Sequence, residues 1–292
     1  MSNLPYNVYW NESYTASQYA FDTTRKSGRI AEAIRAGGAD VSVVDPGNFT
    51  ESAIELIRTA HDLAYVDAVT DGWPRGLAMS QGFEWDPGIP TMAVAHSAGL
   101  VAAVTDVLSR AGRVAGSLSS GLHHARAGRG AGFCTFNGLA VASLAASGLG
   151  TERILVLDLD AHCGGGTRSM ADRSRVVQID VSTIGFDRWQ PEGDDALLIA
   201  DRSDYLGQID AALGLADRAG PFDLVLYNAG MDPVTDSGVG VDDIETRERR
   251  VADWARRHDY PLVFALAGGY TSDRISMDEL ADLHLTTVRS FT

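Results

Sequence analysis

Short apolar segments alternate with longer amphipathic segments along the chain. The apolar segments have the length of β-strands, and they lie at residues 6–10, 40–44, 114–118, 154–157, 176–182, 222–228 and 261–267. The segments of helix length lie at residues 24–36, 51–64, 91–111, 139–149, 203–218, 244–258 and 277–290. This alternation predicts an α/β fold with a single, mainly parallel sheet and helices on both faces. We find no linker or repeat, and therefore expect residues 1–292 to form a single domain.

Two regions need a separate interpretation. Residues 68–90 are rich in glycine and proline and include several aromatic residues, which predicts a long irregular loop at the rim of a site. The helix at 244–258 carries several arginines, among them Arg247, and this pattern is typical of a solvated helix face.

Composition narrows the class of protein. Hydrophobic residues make up 45% of the 292 residues and charged residues 22%, values that are ordinary for a soluble globular protein. The net charge of −15 disfavours binding to nucleic acid and would suit a cationic substrate, although solubility alone explains it. We find neither a secretory signal nor an apolar run of the ~20 residues that a membrane helix needs. With two cysteines and no signal, we expect a cytoplasmic protein without membrane or nucleic-acid partners.

Candidate chemistry lies where the apolar segments end. Asp158, Asp160 and His162 occupy alternate positions after the segment 154–157, so their side chains could point the same way. The carboxyl ends of parallel strands share one edge of a sheet, so residues that follow other strands could join them. Two carboxylates and one imidazole around a divalent ion leave a coordination position open, as in catalytic metal sites. The other candidates at strand ends are His123, His124, Asp232 and Tyr270.

Five short motifs then point to one family. They are Gly-Leu-His-His-Ala (121–125), Gly-Phe-Cys-Thr-Phe-Asn (132–137), Asp-Leu-Asp-Ala-His (158–162), Gly-Met-Asp (230–232) and Gly-Gly-Tyr (268–270). In these motifs, and in their order and spacing, the chain resembles the zinc-dependent histone deacetylase family, including its bacterial deacetylase-like and acetylpolyamine amidohydrolase branch. The resemblance implies the arginase–deacetylase fold.

The resemblance also implies roles for individual residues. Zinc would be held by Asp160, His162 and Asp232. The residues implied in catalysis are His123 and His124 beside the attacking water, Asp158 behind His123, and Tyr270 as a donor to the carbonyl oxygen.

Further implied roles concern the substrate, the product and a second cation. Gly132 and Phe133 would line the acyl tunnel, with Trp189 opposite. Arg29 would lie in an internal channel through which the acid product leaves. Asp158, with backbone carbonyls near His162, would bind K⁺ or Na⁺.

The sequence departs from the family immediately after His162. The family usually has a second His, then Gly and an Asp or Asn, but this chain has Cys163, Gly164 and Gly165. The group that would orient His124 is therefore missing from its usual place. Gly164 also replaces the Asp with which related arginases hold a second manganese, which argues for one metal. Ser182 matches a residue near the family's cation site.

We therefore expect a zinc-dependent amidohydrolase that removes an acetyl or other acyl group from an amine. Fe²⁺ is an alternative to zinc, since the two ions occupy similar sites. The lack of any segment for chromatin docking favours a small-molecule acylated amine over acyl-lysine in a protein. The alternatives left open are a protein acyl-lysine deacetylase and a catalytically weak homologue that binds acylated ligands. A homo-oligomer is compatible with the sequence.

Overall fold

Eight strands form one sheet in which each strand is parallel to its neighbours, within the part of the chain that the structure describes. The structure is a computed structural model that describes residues 6–109 and 113–292, without the side chain of residue 23. The strand order is β2-β1-β3-β8-β7-β4-β5-β6. The strands are β1 (Asn7–Tyr9), β2 (Ser42–Val44), β3 (Val114–Ser117), β4 (Ile154–Asp158), β5 (Val176–Ser182), β6 (Ala196–Ile199), β7 (Leu224–Gly230) and β8 (Leu262–Ala267).

The central strands are buried on both faces. Every residue of β4, β5, β7 and β8 is buried, which explains why these strands are continuous apolar runs rather than alternating ones. The side chains still alternate in direction. Leu155 and Leu157 belong to one hydrophobic cluster, whereas Ile154 and Val156 belong to another. The sheet therefore separates two cores, and each core is covered by helices.

Eleven α-helices connect the strands in the described residues. They are α1 (Asp22–Ala33), α2 (Thr50–Ala60), α3 (Leu63–Asp71), α4 (Arg75–Ala78), α5 (Gly88–Ser109), α6 (Gly138–Gly148), α7 (Gly165–Met170), α8 (Tyr205–Ala219), α9 (Asp232–Thr235), α10 (Val241–His258) and α11 (Met277–Ser290). Short 3₁₀ turns occur at Glu12–Thr15 and Gly47–Phe49, and a π-helical segment, Ile34–Gly38, extends α1. The predicted α/β fold is confirmed.

Helix α5 is long and apolar enough to cross a membrane by length and composition alone. However, 78% of its apolar stretch is buried inside the fold, where it packs against α2, α6 and β3. We therefore regard it as the central helix of one core. The sequence predicts this helix over 91–111, and positions 110 and 111 lie outside the described residues.

Three details of the predicted elements are wrong. Residues 68–90 are not a continuous loop, because α3 extends into them and α4 lies within them. The sequence does not predict strand β6. This edge strand has only four residues, which are too few to show a clear hydrophobic periodicity. Arg247 does not lie on a solvated helix face. Its side chain is fully buried, because α10 packs that face against Leu159, which follows β4, and Gly230 at the end of β7.

The sheet order explains how distant parts of the chain meet. Strands β3, β8, β7 and β4 are consecutive neighbours in the sheet. Their carboxyl ends precede the four segments in which the sequence shows candidate chemistry. These segments therefore lie side by side at one edge, as expected for a parallel sheet.

Candidate active site

Three potential metal ligands converge at the carboxyl ends of β4 and β7. Asp160, His162 and Asp232 each offer one ligand atom, and these atoms lie within 4.8 Å of one another. His162 Nδ1 is 3.2 Å from Asp160 Oδ1 and 3.1 Å from Asp232 Oδ2. The backbone supports this arrangement, since the amides of His162 and Gly269 donate to Asp160 and Asp232 respectively. The structure thus brings together the residues that the sequence grouped as metal ligands.

The electrostatics of this cluster suit a divalent cation. Burial and the adjacent charge of Asp160 raise the pKa of Asp232, so the two carboxylates cannot both ionise without compensation. Burial of His162 opposes its charged form, but both carboxylates outweigh that effect and raise its pKa to about 10. A metal would therefore displace a proton from His162, and binding would strengthen as the pH rises. Two carboxylates and one imidazole form a donor set that fits zinc or ferrous iron.

His123 and Asp158 form a buried pair beside this cluster. His123 Nδ1 donates to Asp158 Oδ2 at 2.6 Å, and Asn228 donates to the other oxygen of Asp158 at 2.8 Å. His123 Nε2 then faces Asp160 Oδ1 at 3.7 Å. Burial disfavours a charged imidazole, but Asp158 and Asp160 outweigh it and raise the pKa of His123 to about 9. This geometry favours a protonated imidazole at His123.

The environment of His124 favours the opposite protonation state. The two imidazole rings lie 4.0 Å apart, and burial together with the charge on His123 lowers the pKa of His124 to about 4. His124 Nδ1 lies 3.0 Å from Asp187 Oδ2. The pair therefore combines one protonated and one neutral imidazole, so one ring can donate a proton and the other can accept one.

A cavity of about 330 Å³ opens onto these groups. Phe133 and Phe186 line it, and the ring of Phe186 packs edge-on against His124 with 4.9 Å between centroids. Gly132 also lines it, and a Cβ atom there would lie 2.5 Å from the ring of His124. Trp189, predicted opposite Phe133, does not line this cavity. Its indole donates to the buried Asp180 at 2.7 Å, and Phe186 of the same loop lines the cavity instead.

Similarity to known protein families shows the family to which the chain belongs. The model for the histone deacetylase domain matches residues 21–186, which is more than half of the chain. The chain belongs to the histone deacetylase family. It is 32% identical over 183 residues to Histone deacetylase 2 of Arabidopsis thaliana, covering 57% of this chain and 47% of that protein. It is 31% identical over 156 residues to the acetoin utilization protein AcuC of Bacillus subtilis, covering 50% and 40%. The chain thus spans about half the length of these curated relatives.

Solved structures of similar proteins share the arginase–deacetylase fold with this histone deacetylase family member. An acetylpolyamine aminohydrolase from Burkholderia pseudomallei superposes with a TM-score of 0.76 at 21% identity, over 98% of both chains. The HD domain of HDA15 superposes with a TM-score of 0.77 at 18% identity, over 98% of this chain and 90% of that one. At these identities the comparison establishes the fold alone.

Tyr270 follows β8 in this deacetylase-family chain and lines the same cavity. Burial and the nearby charges of Asp232 and Asp160 raise the pKa of Tyr270, so its hydroxyl remains protonated. It can therefore serve as a hydrogen-bond donor in the cavity at any physiological pH.

Lys26, and not Arg29, is the basic residue of α1 that is buried beside the site. The guanidinium of Arg29 is half-exposed and pairs with Asp278 at 2.5 Å, so it does not enter an internal channel. Lys26 lies one turn earlier on α1, is fully buried and donates to the carbonyl oxygen of Gly268. Sequence reasoning missed it, although a signal exists: Lys26 shares the buried helical stripe of Ile30 and Ile34, and Arg29 does not.

Proposed function

We propose that this protein is a zinc-dependent amidohydrolase that removes an acetyl or other acyl group from an amine. The observation that carries the proposal is the convergence on one cavity of a three-ligand cluster, two imidazoles of opposite protonation preference and a phenol. Together these parts can hydrolyse a linear amide, because they can polarise the carbonyl, activate water and protonate the departing amine.

Each part of this reaction can be assigned to particular residues of the chain. Zinc held by Asp160, His162 and Asp232 would polarise the carbonyl and lower the pKa of a bound water to about 7. The neutral His124 accepts the proton from the attacking water. The charged His123 donates a proton to the departing amine, while the Tyr270 hydroxyl donates to the oxygen on which negative charge develops.

We propose a small acylated amine as the substrate. One structurally similar protein supports this class by its name, the acetylpolyamine aminohydrolase. The net charge of −15 favours a cationic amine, and the aromatic pair Phe133 and Phe186 would enclose an acyl chain. The alternative is acyl-lysine in a protein, in keeping with the similarity to a plant histone deacetylase.

Further parts of the proposal concern ions, product and context. We also propose a K⁺ or Na⁺ site near Asp158, as the family resemblance implies. We propose that Lys26, and not Arg29, contacts the acid product as it leaves the site. We further propose a single catalytic domain over residues 1–292, a cytoplasmic location and a capacity to form homo-oligomers.

Acetate release tests the proposed activity. Metal-reconstituted protein would be incubated with acetyl-lysine peptides, acetylpolyamines and N-acetylated small amines, with and without a chelator. We expect chelator-sensitive release, fastest with one of the small amines. Preference for the peptides would favour protein deacetylation instead. Binding of the acylated compounds without turnover, at one metal per chain, would identify a ligand-binding homologue.

Replacement of Tyr270 by phenylalanine tests the donor to the developing oxyanion. We expect Tyr270→Phe to lower kcat by about 10²–10³-fold, the typical effect of removing one such donor, with little change in KM. Steady-state kinetics of zinc-loaded protein measure both constants. Tyr260→Phe is the matched control, because Tyr260 packs against Phe222 and Trp254 outside the cavity. Equal kcat in the two variants would exclude this role for Tyr270.

A further inference from the structure

The side chain of Asp187 is held on both of its carboxylate oxygens. Asp187 Oδ2 accepts hydrogen bonds from His124 Nδ1 at 3.0 Å and from the backbone amide of Gly166 at 2.9 Å. Arg126 donates to Oδ1. The carboxylate is 8% exposed, so these contacts are shielded from water and fix its orientation.

The glycine at 165 leaves the space that Asp187 occupies. A Cβ atom at Gly165 would lie 2.7 Å from Asp187 Oδ1 and closer still to the Asp187 carbonyl oxygen. A carboxylate carried at position 165 and the present Asp187 therefore exclude each other. The chain supplies the carboxylate from the loop after β5 and not from the segment after His162.

The backbone around Asp187 is fixed in an uncommon conformation. Asp187 has a φ of 59°, in the left-handed region that aspartate tolerates better than most residues. The loop is held by the hydrogen bond from Cys163 N to Phe186 O at 3.0 Å, and Arg126 also donates to Gly165 O at 3.2 Å. Strained backbone that neighbouring contacts enforce is a recurrent feature of functional sites.

We propose that Asp187 is the positioning residue for His124, in place of the carboxylate that the sequence lacks at position 165. The inference rests on the proposed function, in which His124 accepts a proton from water. By accepting from Nδ1–H, Asp187 selects the tautomer in which Nε2 carries the free lone pair. The base is thereby aligned before the substrate enters, without any contact between Asp187 and the substrate.

Substitution of Asp187 by asparagine tests the proposal at nearly constant shape. The charged Arg126 would keep the amide oxygen of Asn on its side, so the amide NH₂ would face His124 and donate to Nδ1, and the hydrogen bond from Gly166 N would be lost. His124 would then carry its proton on Nε2 and would lose its free lone pair there. We expect Asp187→Asn to lower kcat by about 100-fold, at the lower end of what general base catalysis contributes, with KM and zinc content unchanged.

The controls separate positioning from a structural role. Asp194→Asn changes a half-exposed aspartate of the same loop that pairs with Arg153, and we expect wild-type kinetics. The ¹⁵N spectrum of the imidazoles in zinc-loaded protein reports the tautomer directly. We expect His124 to be protonated on Nδ1 in the wild type and on Nε2 in Asp187→Asn.

The outcomes distinguish this inference from the proposed function. A wild-type kcat in Asp187→Asn, or an unchanged His124 tautomer, would overturn the role of Asp187. A tautomer change in a protein that hydrolyses none of the amides would support the role and contradict the hydrolase. If Asp187→Asn does not fold, Gly165→Ala replaces it, because the added Cβ displaces Asp187 but keeps every polar group. We expect the same fall in kcat, and a wild-type rate would overturn the proposal.

Discussion

Asp160→Ala is expected to abolish metal binding and acetate release together. Asp160 contributes one of the three ligand atoms and also faces His123, so its loss removes a metal–ligand bond and a charge that keeps His123 protonated. General acid–base catalysis alone contributes about 10²–10⁴-fold, and carbonyl polarisation adds several kcal/mol, so we expect at least a ~10⁴-fold fall in kcat/KM. Zinc per chain, measured after dialysis, should fall far below one.

The control for Asp160→Ala is Asp236→Ala. Asp236 caps the helix that begins at Asp232 and is close enough to Asp160 and His162 to feel their charges, but it does not belong to the ligand cluster. Zinc content should therefore stay near one per chain in this variant. Thermal unfolding of metal-free samples would verify that both variants fold. Full zinc content and full activity in Asp160→Ala would refute the assignment of the metal site.

The sequence was most informative where local pattern and sheet geometry act together. Ile154 to Leu157 are continuously apolar because β4 is buried on both faces, and the structure has a strand there. The period of two after that strand groups Asp160 with His162, and the parallel sheet brings Asp232 beside them. Both rules depend on backbone geometry, which leaves little freedom to these residues. The grouping could therefore be predicted without knowledge of side-chain conformations.

The sequence was least informative where a loop or a helix face decides the direction of a side chain. Residues 183–195 have no periodicity, so nothing in them indicated that Phe186 would line the cavity and Trp189 would turn towards Asp180. The role of Asp187 was equally hidden. It requires a left-handed backbone and the space at Gly165, and both are properties of the assembled loops.

Arg247 shows how a charged residue on a helix can be misjudged. Its neighbours Arg249 and Arg250 are more exposed, so the sequence suggested one charged face. The stripe of buried positions on α10, which includes Ile244 and Val251, also contains Arg247. There its guanidinium donates to the carbonyl oxygens of Leu159, which follows β4, and of Gly230, the last residue of β7. An interior arginine of this kind pairs buried backbone carbonyl oxygens.

The two carbonyl groups that Arg247 contacts lie next to the candidate metal ligands. Arg247 Nη1 donates to Leu159 O at 3.2 Å and to Gly230 O at 2.7 Å. Leu159 directly precedes Asp160, and Gly230 lies two residues before Asp232. One guanidinium thus connects the segment after β4 with the end of β7, next to the candidate ligands of both, which makes Arg247 a support of the metal site as well as of the core.

Arg247→Met is accordingly expected to lower the free energy of unfolding by about 3–5 kcal/mol, the range for breaking a buried ion pair. Methionine fills much of the volume but leaves the fully buried Glu248 without its cationic partner. Urea denaturation of zinc-loaded protein measures the loss, and zinc affinity should weaken with it. Arg249→Met, at an exposed position of α10, should change stability by less than about 0.5 kcal/mol. The double variant Arg247→Met with Glu248→Leu should recover part of the loss, because no uncompensated charge remains. No recovery would mean that the hydrogen bonds to Leu159 and Gly230, and not the ion pair, account for the stabilisation.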